Sequence, residues 1–213
     1  MPIAAVIFDF NGTLSDDEPV LCDIFMHLFA EHGKPLSAQE YFDRLAGLSD
    51  PEIVRTWLGN DHPDVEAVID ERVHRYRAAV ADGSSVHPHV REAVRYAAER
   101  APLAICSGAA RAEIEPVVEA AGLGSLFEAV VTSDDVVHGK PDPEGYAKTL
   151  GMLGVDAGDA VVFEDTEAGI ASARAAGVGR VLAMKTTLEP HRLSEADELI
   201  DRIDVDVMRR CLS

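Results

Sequence analysis

Polar side chains that could do chemistry stand at the ends of apolar runs in this sequence. Three of these features end a run directly, namely Asp9, Ser107 and the adjacent pair Glu164 and Asp165. A fourth, Lys140, lies in the loop after another apolar run. Ligands of open α/β sheets bind beyond the carboxyl ends of the strands, so we expect these groups to converge on one site. Such a site would bring carboxylates, a hydroxyl and an ammonium group together.

The runs before these residues have the composition of buried parallel strands. They are short and apolar throughout, as expected for strands that are covered on both faces. Segments with helical spacing of apolar residues separate them, and this alternation predicts a parallel sheet covered by helices. The predicted strands occupy residues 3–8, 103–106, 129–132, 160–163 and 180–184. The predicted helices of this part occupy residues 90–100, 111–121, 146–153 and 168–176.

Residues 19–81 break this alternation, because their apolar residues recur at helical spacing without any strand signal. Four helices are predicted here. Ser37 caps the second, Asp50 caps the third, and Asp64 precedes the fourth. Residues 82–85, Asp-Gly-Ser-Ser, form a return linker. The pattern therefore predicts a small helical subdomain inserted into the α/β chain.

Charge and composition exclude several classes of partner. The 213 residues contain 38 Asp and Glu against 19 Lys and Arg, a net charge of −19, so the surface repels nucleic acid and anionic lipid. No uncharged apolar run approaches the ~18–20 residues that cross a bilayer, and the first residues are typical of a buried strand rather than a signal peptide. The cysteines Cys22, Cys106 and Cys211 are scattered, which predicts neither a disulfide framework nor a zinc site. We expect a cytoplasmic protein without nucleic acid or membrane partners.

The polar features also occur in a characteristic order. The segment Asp9-Phe10-Asn11-Gly12-Thr13-Leu14, followed by Ser107, Lys140 and Glu164-Asp165, resembles the four motifs of the haloacid dehalogenase superfamily of phosphotransferases. Each motif alone is common, whereas all four in order at suitable spacing are specific. The segment Asp16-Asp17-Glu18-Pro19 and the helices after it resemble the cap of the β-phosphoglucomutase and phosphoglycolate-phosphatase branch. The resemblance spans most of the chain.

This resemblance implies a fold, a domain division and an activity. The implied fold is α/β, a Rossmann-like three-layer core with a central parallel sheet, plus an inserted four-helix cap subdomain. The core would comprise residues 1–15 and 84–213, and the cap would comprise residues 16–83. The implied activity is that of a Mg²⁺-dependent phosphatase-like hydrolase, which acts on a small phosphorylated metabolite through an aspartyl-phosphate intermediate.

The implied phosphoryl chemistry centres on Asp9. A phosphate dianion repels a carboxylate nucleophile, so a divalent cation and a lysine are needed to cancel that repulsion. Asp9 would attack phosphorus, which splits one difficult step into two easier ones. Ser107, beside Gly108, would donate a hydrogen bond to a phosphoryl oxygen. Lys140 would neutralise the charge of the phosphoryl group and keep Asp9 ionised.

The resemblance also implies a magnesium site made of oxygen ligands, which Mg²⁺ prefers. Asp9, the backbone carbonyl of Asn11 and Asp165 would hold the ion, with Glu164 as a partner or an alternative to Asp165. One of the two adjacent acids could instead cap the helix that follows them.

Asn11 departs from the family pattern. Phosphatases of this type usually carry a second Asp at this position, which acts as general acid to the leaving oxygen and then as general base to water. A carboxamide can neither supply nor accept that proton, and such help is worth about 10²–10⁴ in rate. Asn11 could still donate a side-chain hydrogen bond to the leaving group.

Four explanations for Asn11 stay open. The substrate has a good leaving group, a cap residue replaces the acid, the protein binds phosphorylated ligands with little turnover, or Asn11 is an engineered substitution. The candidate replacements near the first cap helix are Asp16, Asp17, Glu18 and His27. Two alternative functions follow, a weakly active or inert phosphate-ligand-binding protein and a phosphonatase-like C–P hydrolase. The latter would need a cap lysine, and Lys34 is the only one.

Overall fold

Six parallel strands form one sheet in the computed structural model, which describes residues 3–213. The strands are β1 (Ala5–Phe8), β2 (Leu103–Cys106), β3 (Ala129–Val131), β4 (Ala160–Glu164), β5 (Arg180–Met184) and β6 (Glu198–Ile200). Their order is β3-β2-β1-β4-β5-β6, so β1 lies in the middle between β2 and β4. The α/β fold with a central parallel sheet is confirmed, and β6 is an edge strand that the sequence pattern did not predict. Residues 1 and 2 of the predicted core lie outside the described residues.

The register of the central strands decides where their polar ends emerge. Phe8 of β1 lies opposite Ile105 of β2 and opposite Phe163 of β4. Every residue of these three strands is buried, as expected for a sheet covered on both faces. The backbone N–H of Asp9 still donates to the carbonyl of Phe163 over 2.9 Å. The residues after β1, β2 and β4 therefore leave the sheet at the same edge.

Four helices lie between β1 and the rest of the core. They are α1 (Glu18–Glu31), α2 (Ala38–Arg44), α3 (Asp50–Leu58) and α4 (Val65–Ala79). Helix α1 packs against α2 and α4, and α3 packs against α4. Aromatic rings fill the interior, where Phe25 contacts both Phe29 and Tyr41. The predicted helices of the insert thus pack on one another around buried aromatic rings.

The start of α3 differs by one residue from the prediction. Ser49, not Asp50, is the N-cap, because its backbone N–H and its hydroxyl donate to Glu52 Oε2 over 2.9 and 2.6 Å. The Glu52 carboxylate thus accepts from both donors of Ser49 across the first turn, and the helix begins at Asp50. The shift turns the carboxylate of Asp50 from a cap into a side chain on the helix.

The core helices flank the sheet. They are α5 (Pro88–Ala98), α6 (Arg111–Ala120), α7 (Glu144–Leu153), α8 (Glu167–Ala175) and α9 (Val205–Leu212). Helix α7 packs on β2 and β3, α8 packs on β4 and β5, and α7 also contacts α8. Helices α5 and α9 form a second packed pair. In the described part of the chain, no helix is both long and apolar enough to cross a membrane.

Two backbone segments connect the helical insert to the core, and they run side by side. The hydroxyl of Ser15 donates to the hydroxyl of Ser85 over 2.8 Å. The backbone N–H of Asp16 donates to the carbonyl of Ser85 over 2.9 Å. Both connections therefore lie beside each other.

Candidate active site

Three carboxylates meet where β1 and β4 end. Asp9 follows β1, Glu164 is the last residue of β4, and Asp165 comes next. One oxygen of each carboxylate lies within 4.8 Å of the others, and all three residues are buried. The sheet register thus brings together residues that are about 155 positions apart in the chain, as the sequence predicts.

Lys140 supplies the cation that contacts this group. Its Nζ donates to Asp9 Oδ1 over 2.7 Å, to Glu164 Oε1 over 2.5 Å and to the carbonyl of Cys106 over 3.0 Å. Burial alone would lower the pKa of Lys140, but the carboxylates of Asp9 and Glu164 outweigh it and raise that pKa above its usual value. Burial raises the pKa of Asp9 to about 6, and Lys140 limits this rise. We call Asp9, Lys140, Glu164 and Asp165 the floor cluster.

The two adjacent acids of the floor cluster have different surroundings. Glu164 is fully buried, and its oxygens accept from Lys140, from the hydroxyl of Tyr146 over 2.6 Å and from the backbone N–H of Asp165 over 3.1 Å. The hydroxyl of Thr166 adds a longer contact of 3.3 Å. Both oxygens of Glu164 therefore already accept hydrogen bonds from protein groups, and Glu164 does not line the cavity.

Asp165 instead lines the cavity above the floor cluster. Its oxygens accept from the hydroxyls of Thr13, over 3.2 Å, and Thr187. Burial raises its pKa, and the negative charges of Asp9 and Glu164 add to the rise. Asp165 is thus the acid of the pair that faces the cavity.

A glycine allows the turn after β1 to approach Asp165. Gly12 has φ +69°, and a Cβ at this position would lie 2.1 Å from Asp165 Oδ2. Any larger residue would push the turn away from the carboxylate, so glycine is required here for both its backbone conformation and its size.

Ser107 and Gly108 line the other side of the cavity, after β2. The backbone N–H of Ser107 donates to the carbonyl of Val131 over 3.0 Å. Its Oγ accepts from the backbone N–H of Ala109 over 3.2 Å, which leaves the hydroxyl proton for a ligand. Helix α6 begins three residues after Gly108, at Arg111, and a helix N-terminus favours anions.

Asn11 belongs to a second hydrogen-bonded group, which the helical insert completes. Its Nδ2 donates to Asp17 Oδ2 over 2.9 Å and to the Tyr76 hydroxyl over 3.1 Å. The Tyr76 hydroxyl donates in turn to Asp17 Oδ2, and the backbone N–H of Gly12 donates to Asp17 Oδ1 over 3.2 Å. We call Asn11, Asp17 and Tyr76 the rim triad. Burial raises the pKa of Asp17 to about 6, against the effect of these hydrogen bonds.

The rim triad engages the amide nitrogen of Asn11. Its Nδ2 contacts both Asp17 and Tyr76, and these two acceptors contact each other, so they lie on the same side of the nitrogen. That Asn11 donates a side-chain hydrogen bond to a leaving group stays a prediction. Its amide oxygen has no hydrogen-bond donor among residues 3–213.

Glu18, the first residue of α1, also lines the cavity. The hydroxyl of Tyr41 donates to its Oε1 over 2.9 Å. Burial raises the pKa of Glu18 to about 7. The hydrogen bond from Tyr41 and the charge of Arg72 lower this pKa, whereas the charges of Asp17 and Asp9 raise it. Glu18 is thus a carboxyl group poised to hold or release a proton near neutral pH.

The cavity itself has a volume of about 810 Å³ and lies between the core and the helical insert. Core residues of its lining include Asp9, Ser107 and Lys140. From the insert, Arg72 of α4 reaches the lining, where its guanidinium pairs with Asp50 and with Glu113 of α6. The Nε of Arg72 is buried without a hydrogen-bond partner among the described residues. The volume suits a small organic ligand.

Comparison with known proteins assigns this geometry to a family. A family model described as haloacid dehalogenase-like hydrolase matches residues 6–183, which include the floor cluster and the rim triad. The chain belongs to that family. The resemblance found in the sequence motifs is thereby confirmed.

Relatives of this hydrolase are phosphatases. The chain is 31% identical, over 91% of each chain, to a validoxylamine A 7'-phosphate phosphatase of Streptomyces hygroscopicus subsp. limoneus. It is also 31% identical to a fructose-1-phosphate phosphatase of Escherichia coli (strain K12), over 84% of this chain and 95% of that one. The protein is therefore a phosphoric-ester hydrolase, as predicted.

A solved structure of a related protein has the same fold as this hydrolase. A mutant of CbbY from Rhodobacter sphaeroides, in complex with xylulose-(1,5)bisphosphate, matches with a TM-score of 0.81 at 25% identity. The match covers 94% of this chain and 95% of that one, so the helical insert lies within the aligned length as well as the sheet.

Lys34, the candidate Schiff-base lysine, lies apart from the cavity. Lys34 Nζ donates to the carbonyl of Leu58 over 2.6 Å, and the side chain lines a separate pocket of about 300 Å³ beside α3. That position gives no support to a phosphonatase that uses this lysine.

The phenols of Tyr76 and Tyr146 were not predicted at the site. A buried tyrosine usually needs a partner for its hydroxyl, and this was the only signal available.

Proposed function

We propose that this hydrolase cleaves phosphate monoesters of small, carbohydrate-like metabolites, with Mg²⁺ as cofactor and Asp9 as nucleophile. The observation that carries the proposal is the contact between Asp9 and Lys140 at the floor of a cavity of about 810 Å³. A buried carboxylate held ionised by a lysine is the group that nucleophilic attack on phosphorus needs. The relatives that act on sugar phosphates support this class of substrate.

The proposed reaction has two steps. Asp9 attacks phosphorus and forms an aspartyl phosphate while the ester oxygen leaves, and water then releases phosphate and restores Asp9. Ser107 donates its hydroxyl proton to a phosphoryl oxygen, and Lys140 offsets the charge of the phosphoryl group. The backbone before α6 adds a favourable helix terminus beside Gly108.

The floor cluster fits a magnesium ion. Its three carboxylates lie within 4.8 Å of one another, and Lys140 is the single cation in contact with them in the described part of the chain. An additional cation would relieve the repulsion that raises the pKa of Asp165. Asp9, Asp165 and the backbone carbonyl of Asn11 would hold the ion, while Glu164 would hold Lys140. The ion supplies charge neutralisation at the phosphoryl oxygens.

The helical insert would act as a cap over this site. We assign it to residues 16–83, with the paired connections at Ser15 and Ser85 as the hinge. Closure would exclude water from the floor cluster, while hydrogen-bonding groups such as Glu18 and Arg72 would contact the substrate.

A phosphate-release assay tests the proposal. Sugar phosphates, glycolate phosphate and p-nitrophenyl phosphate are offered to the protein with Mg²⁺ and then with a chelator. We expect turnover that needs the metal and that Asp9→Asn removes. Asp61→Asn is the matched control, because Asp61 is exposed in the loop before α4, and this variant should keep the parent rate. Equal rates for the Asp9→Asn variant and the parent would contradict the proposal.

A weakly active phosphate-binding protein is the second candidate. It is favoured by Asn11 itself, because a carboxamide can neither give nor take the proton that a general acid and base transfers. Calorimetry with inorganic phosphate and Mg²⁺ separates the two candidates. Binding without phosphate release from any ester would select the second.

A further inference from the structure

Glu18 lines the cavity, and one oxygen of its carboxyl group has no hydrogen-bond partner among residues 3–213. The residue is 7% exposed, and it lines the same cavity as Asp9 and Asn11. Its hydrogen bond from Tyr41 goes to Oε1, and Oε2 has no partner among residues 3–213. Oε2 is therefore available to a ligand in the cavity.

The other candidates for an acid near Asn11 are positioned differently. Asp16 is exposed and pairs with His87, and His27 is exposed on α1 with its Nδ1 on the carbonyl of Asp23. Asp17 has no exposed surface and does not line the cavity.

The remaining carboxylates of the lining are already engaged. Asp50 and Glu113 pair with Arg72, and Glu52 accepts from the backbone N–H and the hydroxyl of Ser49. Asp9 and Asp165 belong to the floor cluster. Among the described lining carboxyls outside the floor cluster, Glu18 is the one that neither pairs with Arg72 nor accepts from a serine at a helix start.

We propose that Glu18 is the general acid and base of this phosphatase and does the work of the carboxylate absent at position 11; this inference rests on the proposed function. When Asp9 attacks phosphorus and the P–O ester bond breaks, Glu18 gives its proton to the leaving oxygen, which departs as an alcohol. In the second step, Glu18 takes a proton from the water that attacks the aspartyl phosphate. The Asp9–phosphorus bond then breaks, and phosphate leaves. Glu18 ends the cycle protonated, so protons and electrons balance.

The surroundings of Glu18 suit both halves of this cycle. Burial raises the pKa of its carboxyl to about 7, close to the pH at which a general acid and base is most efficient. The groups that face it are Tyr41 from α2, Arg72 from α4, and the acids Asp17 and Asp9. The charge of Glu18 in turn raises the pKa values of Asp165 and Cys22, so these two groups also lie near it. The two acids raise its pKa, and Tyr41 and Arg72 lower it without a salt bridge.

The rim triad holds the residue before Glu18 in place. Asp17 directly precedes Glu18, and its oxygens are held by Asn11, Gly12 and Tyr76. These contacts tie the start of α1 to the turn after β1. Glu18 is thereby presented to the same cavity as the nucleophile.

Leaving-group dependence tests the assignment. Two substrates are compared, p-nitrophenyl phosphate, whose leaving oxygen needs little protonation, and fructose 1-phosphate, an alkyl ester that needs it. The measured quantity is kcat/KM, which covers the steps up to transfer of the phosphoryl group to Asp9. For Glu18→Gln we expect a loss of about 10²–10⁴ with fructose 1-phosphate and less than about 10-fold with p-nitrophenyl phosphate. Gln keeps an oxygen that can accept from Tyr41, so the local packing is preserved.

The matched control is Glu40→Gln, an identical change at an exposed capping carboxylate outside the lining. Its capping role tolerates the amide, and both kcat/KM values should stay near those of the parent. An equal loss with both esters in the Glu18→Gln variant would mean that Glu18 binds substrate, and it would overturn the inference. An unchanged value with fructose 1-phosphate would overturn it as well.

A pH profile provides a second measurement on a folded variant. The parent should lose kcat/KM for fructose 1-phosphate as pH rises above about 7, because Glu18 loses its proton there. Tyr41→Phe removes a hydrogen bond that lowers the pKa of Glu18, so the decline should move to higher pH. A decline that stays in place in this variant would contradict the assignment. Retention of kcat/KM for p-nitrophenyl phosphate by the variants, and its loss in Asp9→Asn, keeps a failure of this inference separate from a failure of the proposed function.

Discussion

The floor cluster and the rim, which we define as the rim triad together with Glu18, place carboxyl groups in different electrostatic surroundings. At the floor, the ammonium of Lys140 contacts both Asp9 and Glu164 within 2.7 Å. At the rim, Asp17 and Glu18 accept hydrogen bonds from phenols, and neither forms a salt bridge in the described part of the chain. Both regions are buried, so the difference lies in the partner and not in the exposure.

The comparison shows how one residue type can serve two purposes. Contact with a cation favours the charged form of a carboxyl, whereas burial without a cation favours the neutral form. The floor is therefore suited to a nucleophile and to metal ligands, which must be ionised. The rim is suited to a group that carries a proton, and Glu18 with a pKa of about 7 fits that task.

Removal of the cation should break the floor most severely. Lys140→Met leaves buried carboxylates without their partner, which costs about 3–5 kcal/mol in the free energy of unfolding at pH 8. Without the ammonium, the folded-state pKa of Asp9 rises further. The stability of the variant is then greatest at low pH and is lost as pH increases. Urea unfolding at pH 5.5 and pH 8 measures this difference.

A surface lysine supplies the control for that experiment. Lys185 pairs with Asp201, whose side chain is 86% exposed, so Lys185→Met should change stability by less than about 1 kcal/mol at either pH. If both lysine variants behaved alike, the floor would not depend on its buried cation.

Removal of the acid should have the opposite effect at the rim. Burial raises the pKa of Glu18 from 4.5 to about 7, so its ionisation costs the folded state about 3 kcal/mol as pH rises through this interval. The contribution is fully favourable below pH 4.5 and is lost above pH 7. Glu18→Gln should therefore be more stable than the parent at pH 8, by up to about 3 kcal/mol, and similar to it at pH 4.5.

The same substitution at a cap gives a contrast of sign. Hydrogen bonds to Ser49 lower the pKa of Glu52, so Glu52→Gln should lose stability at pH 8 instead of gaining it. Thermal melts of the parent and of both variants at pH 4.5 and pH 8 measure these differences in stability. A parent that is more stable than Glu18→Gln at pH 8 would mean that the rim carboxyl is ionised and compensated, as at the floor.

A smaller effect is expected when a second carboxylate is added to the rim. Asn11→Asp places a carboxylate at the 2.9 Å contact with Asp17, where like charges cannot both ionise. We expect a loss of about 1–2 kcal/mol in stability at pH 8 and a smaller loss at pH 5. The exchange variant, Asn11→Asp with Asp17→Asn, restores an amide–carboxylate pair and should lose less. Equal losses in both variants would show that repulsion is not the cause.

The sequence predicts the floor better than the rim because the floor depends on strand ends. Asp9, Glu164 and Asp165 stand at the ends of apolar runs, and parallel strands bring such positions to one edge of the sheet. The rim depends instead on how the helical insert packs. Tyr76 meets Asp17 across 59 positions, and this contact has no local signal in the sequence.

The elements missed at the C-terminal end have a similar explanation. Strand β6 (Glu198–Ile200) is three residues long and carries an acid, so no apolar run marks it. Helix α9 does show Val207, Met208 and Cys211 on one face, a helical spacing that could have been found. Capping also depended on side-chain geometry, since Ser49 and Asp50 are both good N-cap residues.

Trapping of the phosphorylated enzyme tests the central claim most directly, because the floor should carry the phosphoryl group and the rim should release it. The parent, Asp9→Asn and Glu18→Gln are mixed with p-nitrophenyl phosphate and Mg²⁺, quenched in acid and analysed by peptide mass spectrometry. We predict that the peptide containing Asp9 accumulates a phosphoryl group in Glu18→Gln, because attack still occurs while hydrolysis lacks its base. The parent should show little of this species, and Asp9→Asn should show none. A phosphoryl group on another residue, or none in Glu18→Gln despite a burst of nitrophenol, would contradict the account.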